Sequence, residues 1–336
     1  MHDDAARLQP LPLPDWTASA QTLLAPLSPR LVRFDLVTES RIDFGDDAGA
    51  LFRSAFGPAL KKTSCPRMRD PCRICRREAG CLYAYAFESP RTLTGETARG
   101  GAHSPHPMVL RLETGGARSL GRSFCFSLEV LLLGATRGDV PRVIDAVAEV
   151  GKCGLGRNRG RFIVVNAALV DSDGREISAL GRGEPLILDH VDDSPPLRDD
   201  RPQDPDEARL TFVTRTRLVT RGAVATRVTF DLLLRSILRR YVDLLEAYGG
   251  GRPPWVFNEI IEHAKDVYAG DSHLRLSDAH RWSSRQKRNI PIGGLKGWIT
   301  FHGPLAPFSG LLRVGELIHV GKGTMLGHGR YRLRFR

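Results

Sequence analysis

The chain has 336 residues, 41% of them apolar, with a formal charge of +11 and a pI near 9.7. That length can bury two ordinary cores, and no run approaches the roughly 20 apolar residues of a membrane span. The first residues, MHDDAARLQPLPLPDW, have neither the basic start nor the apolar run of a secretory signal, so a cytoplasmic protein is expected, with six cysteines as thiols or metal ligands. The excess positive charge favours nucleic acid or another polyanion as partner.

Taken in order, residues 1–28 are proline-rich and read as an extended arm or irregular lead-in. Leu31–Thr38 alternates and is β-branched, which predicts a first strand. Asp47 is placed to cap a helix whose apolar side is Leu51, Phe52, Ala55, Phe56, Ala59 and Leu60. Pro58 inside that pattern should kink the helix or end its first half, and Arg53, Lys61 and Lys62 make its outer surface basic. Next comes an insertion, residues 65–81, in which Cys65, Cys72, Cys75 and Cys81 follow one another within seventeen residues. Four thiolates with a Cys-x2-Cys pair suit a closed structural Zn²⁺ site that would staple the loop and leave no position for catalysis. An iron–sulfur cluster and unligated thiols are the alternatives for the same spacing. Cys125 and Cys153 read as ordinary thiols.

Strands are expected over Pro107–Glu113 and Phe124–Leu133, a helix over Val140–Val150, and a strand from Arg161. Val150-Gly151-Lys152, a glycine-rich basic loop and a strand are echoed by Val320-Gly321-Lys322, its loop and its strand. Such an echo suggests a duplicated domain. Residues 171–208, acidic and proline-rich, divide the two copies as a linker. The second copy, 209–336, opens on RLTFVTRTRLVT, with Arg209, Arg215 and Arg217 on one face. A long helix is predicted over Phe230–Tyr248 from the period of Leu234, Ile237, Leu238, Tyr241, Leu244 and Leu245, ended by Gly249-Gly250-Gly251. A further helix over Pro254–Tyr268 and strands near Leu274 and over Gly297–Phe301 follow. The order strand, helix, two strands, helix, strand, met twice, predicts an α+β chain of tandem ferredoxin-like (RRM-like) domains, the first over 29–170.

The chain ends on a short amphipathic helix, a glycine-rich loop over 321–329, and a strand with Arg330, Arg332, Arg334 and Arg336 on one face. Glycine lets a backbone approach an anion closely, so Gly321, Lys322, Gly323, Gly327 and Gly329 read as a phosphate-contacting loop. With the upstream cluster Arg281, Arg285, Lys287, Arg288 and Lys296, Arg330 and Arg332 complete a candidate surface for an RNA backbone.

The run RWSSRQKRNIPIGGLKGWITFHGPLAPFSGLLRVGELIHVGKGTMLGHGRYRL closely resembles the C-terminal signature of the CRISPR-associated endoribonucleases that process repeat RNA, in the RAMP superfamily. LFRSAFGPALKK, Cys81-Leu82-Tyr83-Ala84-Tyr85 with Phe87-Glu88, and Pro105-His106-Pro107 resemble N-terminal stretches of the same family. The resemblance implies CRISPR repeat RNA or crRNA as partner, with other CRISPR effector subunits as partners in the alternative role below; the lack of a long apolar run argues for no membrane partner. The resemblance also implies cleavage without a catalytic metal, leaving a 2′,3′-cyclic phosphate and a 5′-hydroxyl. An alternative role in the superfamily is a non-cleaving crRNA-binding subunit. Many relatives carry a histidine on the first helix. Here no histidine lies between His2 and His103, and the helix reads Gly57-Pro58-Ala59. The candidates left are His319 as acid or base, with Arg53 and Lys61 stabilising a phosphorane; His328 and His280 are weaker ones.

Overall fold

The computed structural model of the protein describes residues 15–68, 72, 75, 81–88, 105–134, 139–179, 204–220, 222–283 and 287–336, with the backbone alone at 178–179 and 281–283. Ahead of the first strand, Ser19 caps helix α1 (Ala20–Leu24) by accepting the Thr22 N–H. Leu23, Leu24 and Leu27 are fully buried, so the expected arm ends in a packed helix; its first fourteen residues lie outside the described ones.

The first unit then runs β1 (Arg30–Thr38), a short β2 (Ile42–Asp43), α2 (Ala48–Ser64), β3 (Met108–Glu113), a short β4 (Ser119–Leu120), β5 (Cys125–Leu132), α3 (Asp139–Cys153), β6 (Phe162–Val170) and β7 (Glu176–Ala179). Its antiparallel sheet has the order β3-β5-β1-β6-β7. Asp47 does cap α2, its carboxylate accepting the Ala50 N–H at 2.9 Å. Pro58 neither ends the helix nor divides it: Phe52, Phe56, Ala59 and Leu60, on both sides of it, share one buried core. β7 falls within the stretch expected to be linker from residue 171, because Glu176–Ala179 pairs with β6; residues 180–203 lie outside the described ones.

The second unit runs β8 (Glu207–Thr216), short strands β9 (Val219–Thr220) and β10 (Ala223–Val224), α4 (Phe230–Tyr248), α5 (Phe257–His263), β11 (Tyr268–Ser277), a hairpin of β12 (His280–Ser283) and β13 (Arg288–Pro291), β14 (Gly294–His302), α6 (Ser309–Ile318) and β15 (Tyr331–Phe335). The sheet order is β11-β14-β8-β15, again antiparallel throughout. The helix expected over Pro254–Tyr268 is shorter, since the chain from Tyr268 on is drawn into the sheet as its edge strand. Leaving out β7, both units pair their main strands in the order second, third, first, fourth, with a helix after the first and after the third.

Alternation explains the layers. Val32, Phe34 and Leu36 on β1 face α2 and α3, closing a first core with Leu128, Val130, Val143 and Val147. In the second unit Ala208, Leu210 and Phe212 of β8 and Ile299 and Phe301 of β14 pack on α4 and α6. Leu31, Val109 and Leu131, from the other face of the first sheet, join that second core, which ties the two units together. No helix among the described residues is long and apolar enough to cross a membrane.

Candidate functional site

A cleft opens where the N-terminus of α2 meets the 321–329 loop. It is lined by Asp46, Asp47, Ala48, Gly49, Arg111, Leu112, Thr214, Arg215, Lys296, Leu326, Gly327, His328 and Arg330. At its centre His328 Nε2 lies 2.6 Å from Asp47 Oδ2, a link across 281 residues of sequence. Arg215 stands 3.6 Å from the same carboxylate and donates to the Asp46 carbonyl at 3.0 Å. Burial pushes the Asp47 carboxyl up, but the bonds from His328 and the Ala50 N–H, with the Arg215 charge, outweigh it and leave it below its ordinary value. Asp47 is therefore an ionised acceptor that holds the His328 ring by one nitrogen. Around this pair stand four cationic side chains, Arg111, Arg215, Lys296 and Arg330.

The loop itself is built differently from a phosphate cradle. Residues 324–329 are buried and only Lys322 and Gly323 are exposed. Six of its amides are engaged within the protein: Gly321 N–H donates to Ser236 Oγ, Lys322 to the Arg217 carbonyl, Leu326 and His328 to Gly323, Gly327 to Thr324, and Gly329 to Arg215. Gly327 and Gly329 have φ of 78° and 75°, and a Cβ would lie 2.6 Å from the Leu110 carbonyl oxygen at the first and 1.8 Å from that of Val320 at the second. These glycines let the loop close against β3 and against its own start, so what they approach closely is backbone.

His319 is sealed into this structure. It is fully buried, its Nδ1 bonds the His328 carbonyl at 3.0 Å, and its Nε2 accepts from Arg111 Nε at 3.0 Å. Burial, then the Arg111 and Arg330 charges, push its pKa well below the usual imidazole value. A neutral ring with both nitrogens occupied has no proton to exchange with a bound strand, and it orders the loop instead. Arg111, 6% exposed, also donates to the Leu317 carbonyl at 2.6 Å and lies 3.3 Å from Glu129. With Arg240 donating to the Ile318 carbonyl at 2.8 Å, it caps the C-terminus of α6, where carbonyls would otherwise lack donors.

Arg53 and Lys61 do not line the cleft. Arg53 lies over the Phe87 ring at 5.1 Å and Lys61 over Tyr83 at 5.6 Å, and those two rings stack on each other. Arg330 is half-buried and paired with Glu113, so it belongs to the cleft, whereas Arg332 and Arg334 are exposed on the second sheet. Lys287 and Arg288 are exposed beside the β12–β13 hairpin; the Arg281 side chain and all of Arg285 lie outside what is described. Sequence reasoning missed Arg111, Arg215 and Asp47 as cleft residues. A lone arginine in the apolar run MVLRLE was the available signal for the first.

Cys65, Cys72, Cys75 and Cys81 are free thiols of intermediate exposure. Among the described residues no group of three or more His, Cys, Asp or Glu is gathered so as to hold a metal ion. Burial pushes the Cys72 thiol up, against the pull of Lys61.

Comparison with known proteins adds the following. Residues 210–331 match the family model of the CRISPR-associated endoribonuclease Cas6, and residues 27–190 match a model described only as an N-terminal domain. An uncharacterized protein of Archaeoglobus fulgidus is 24% identical over 297 residues, covering 85% of this chain and 91% of its own. Among solved structures, a Cas6 product complex superposes with a TM-score of 0.55 at 16% identity, over 91% of this chain and 100% of that one. Thermus thermophilus Cas6 does so at 0.51 and 14%, over 91% and 98%. A partial Cas6-RT-Cas1–Cas2 complex matches at 0.52 and 13%, over 92% of this chain and 46% of that one. At these identities the superpositions show a shared fold.

Proposed function

We propose that the chain is a member of the Cas6/RAMP-type family of CRISPR-associated proteins, a reading supported by the match over residues 210–331, and that it binds CRISPR repeat RNA and cleaves it through the RNA's own 2′-hydroxyl. We read its two units as a duplicated ferredoxin-like domain, a reading supported by their shared strand order. The observation that carries the functional reading is the cationic cleft around His328 and Asp47, formed jointly by the first helix and the glycine-rich loop.

In this reaction the 2′-oxygen attacks the adjacent phosphorus, the P–O5′ bond breaks, and the products end in a 2′,3′-cyclic phosphate and a 5′-hydroxyl. One proton leaves the 2′-oxygen and one reaches the departing 5′-oxygen. His328 is the imidazole lining the cleft, a residue type able both to take and to give a proton, and Asp47 orients it. Arg111, Arg215, Lys296 and Arg330 supply the positive field for a phosphorane whose negative charge grows in the transition state. His319, Arg53 and Lys61, the candidates from residue type, act in this scheme through the loop and through α2. The expected result is cutting of cognate repeat RNA by the purified protein in excess EDTA. Deoxyribose at the nucleotide upstream of the cut should abolish cleavage and leave binding nearly intact. Cleavage of the deoxy substrate would refute the 2′-hydroxyl route.

A second reading is favoured by one observation: α2 carries no histidine, and its basic residues Arg53 and Lys61 rest on aromatic rings away from the cleft. On that reading the chain is a non-cleaving crRNA-binding subunit. Tight binding with no cut under any condition would select it.

Zinc at Cys65, Cys72, Cys75 and Cys81 is a separate proposal resting on residue type and spacing. Elemental analysis of protein purified without added metal should find about one zinc per chain; a value of zero removes the proposal.

A further inference from the structure

Among the described residues, the face of the second sheet turned away from α4 and α6 contributes no side chain to the buried core. Residues opposite one another in antiparallel strands point to one side, so the register assigns that face row by row. One row is His273, Trp298, Thr211 and Arg332; the next contains Thr300, Arg209 and Arg334; an end row pairs Tyr268 with His302 and Glu207. Aromatic and imidazole rings thus fall on the β11–β14 side, and Arg209, Arg332 and Arg334 on the β8–β15 side. Tyr268 is 64% exposed and stacks on His302 with ring centroids 5.6 Å apart at 28°. The Arg209 guanidinium lies 3.9 Å over the half-buried Trp298 ring. Arg332 and Arg334 are exposed and, two residues apart on one strand, stand about 7 Å from each other. Glu207, the carboxylate of the end row, is answered by His302 at 3.9 Å and Arg336 at 3.6 Å. Lys296, opposite Arg275, lies on this same face and also lines the cleft.

A half-hydrophobic sheet face with flat rings on one side and unscreened arginines on the other suits one kind of ligand. Bases lie on rings and phosphates along guanidinium groups, without sequence-specific edges being read. We propose that this face is a platform for single-stranded RNA, with bases stacked at Trp298 and at the Tyr268–His302 pair and the backbone carried by Arg332 and Arg334. Through Lys296 the platform runs into the cleft, so the strand it holds is one flank of the RNA being positioned there. The inference deepens the repeat-RNA reading and rests on it for the identity of the natural ligand.

The test uses the full chain and a fluorescent ten-residue oligouridylate unrelated to any repeat. Trp298→Ala should weaken its binding by about 5- to 150-fold, the measured range for one stacked base, and Trp298→Phe should restore most of the loss. Arg332→Gln and Arg334→Gln should each flatten the log–log salt slope by about 0.7. Photocrosslinking of a 4-thiouridine version to the unmutated protein should mark the 294–302 peptide or Tyr268. A folded Trp298→Ala protein that binds the oligomer as the parent does would leave the face to a protein partner and overturn the proposal; so would crosslinks confined to other peptides. If repeat RNA is never cut but Trp298→Ala still loses the oligomer, the platform stands and the nuclease reading falls. If repeat RNA is cut and the oligomer is held equally by both proteins, the reverse holds.

Discussion

Replacing His328 by alanine is expected to slow single-turnover cleavage of repeat RNA by about 10²- to 10⁴-fold, the usual contribution of a positioned acid or base. The ring sits on the cleft wall with Nε2 held by Asp47 at 2.6 Å, so the substitution removes the proton-transfer group from a site whose cations remain. Asp47→Asn should also slow cleavage, because an amide has one acceptor oxygen: kept on the Ala50 N–H, it turns its NH2 donor toward His328 Nε2 and imposes the opposite ring tautomer. Two readouts separate chemistry from loop damage. Repeat-RNA affinity should change little in either variant, and imidazole added to His328→Ala should restore part of the rate. If His328→Ala cuts at the parent rate in a folded protein, the acid–base role passes to another group. If affinity and thermal midpoint collapse together and imidazole does nothing, His328 only pins the loop to α2.

How much of this could be read from residues alone depends on the range of the interaction. Helix α4 has the bounds predicted, Phe230–Tyr248, because its period and its terminal glycines are local properties. The ending is legible for the same reason: Tyr331 and Leu333 go inward while Arg332 and Arg334 stay out. The cleft was not legible. Asp47 announces itself as a helix cap, and nothing in its neighbourhood says that a histidine of the last loop reaches it. Residue type drew attention to His319, but burial decides its role, and the side chain that seals its second nitrogen, Arg111, lies 208 residues away. The glycines of the loop misled in a physical way: a need for close approach was inferred correctly, yet the approaching group is a carbonyl of β3 at Gly327 and of Val320 at Gly329.

The second large effect concerns stability. Arg111→Ala is expected to cost about 3–5 kcal/mol in denaturant unfolding, because it removes one partner from a buried ionic and hydrogen-bonded group. The Leu317 carbonyl, His319 Nε2 and the Glu129 carboxylate would all lose their donor. The same cluster should make stability depend on pH. His319 has a folded pKa below its unfolded value, so the unfolded chain takes up a proton that the folded chain refuses. Its contribution is therefore fully present above about pH 6.5 and is lost as pH falls toward the folded pKa, at about 1.4 kcal/mol per pH unit. His319→Gln, an amide that can both donate and accept, should remove that slope below pH 6.5 while leaving cleavage by the remaining folded protein close to the parent rate. The measurement is a set of denaturant midpoints from pH 7.5 down to 5 for both proteins, together with single-turnover rates at pH 7.5. Equal slopes would mean that the ring is hydrated in solution. A His319→Gln protein of unchanged stability that no longer cuts would return the ring to the chemistry and displace His328 from it.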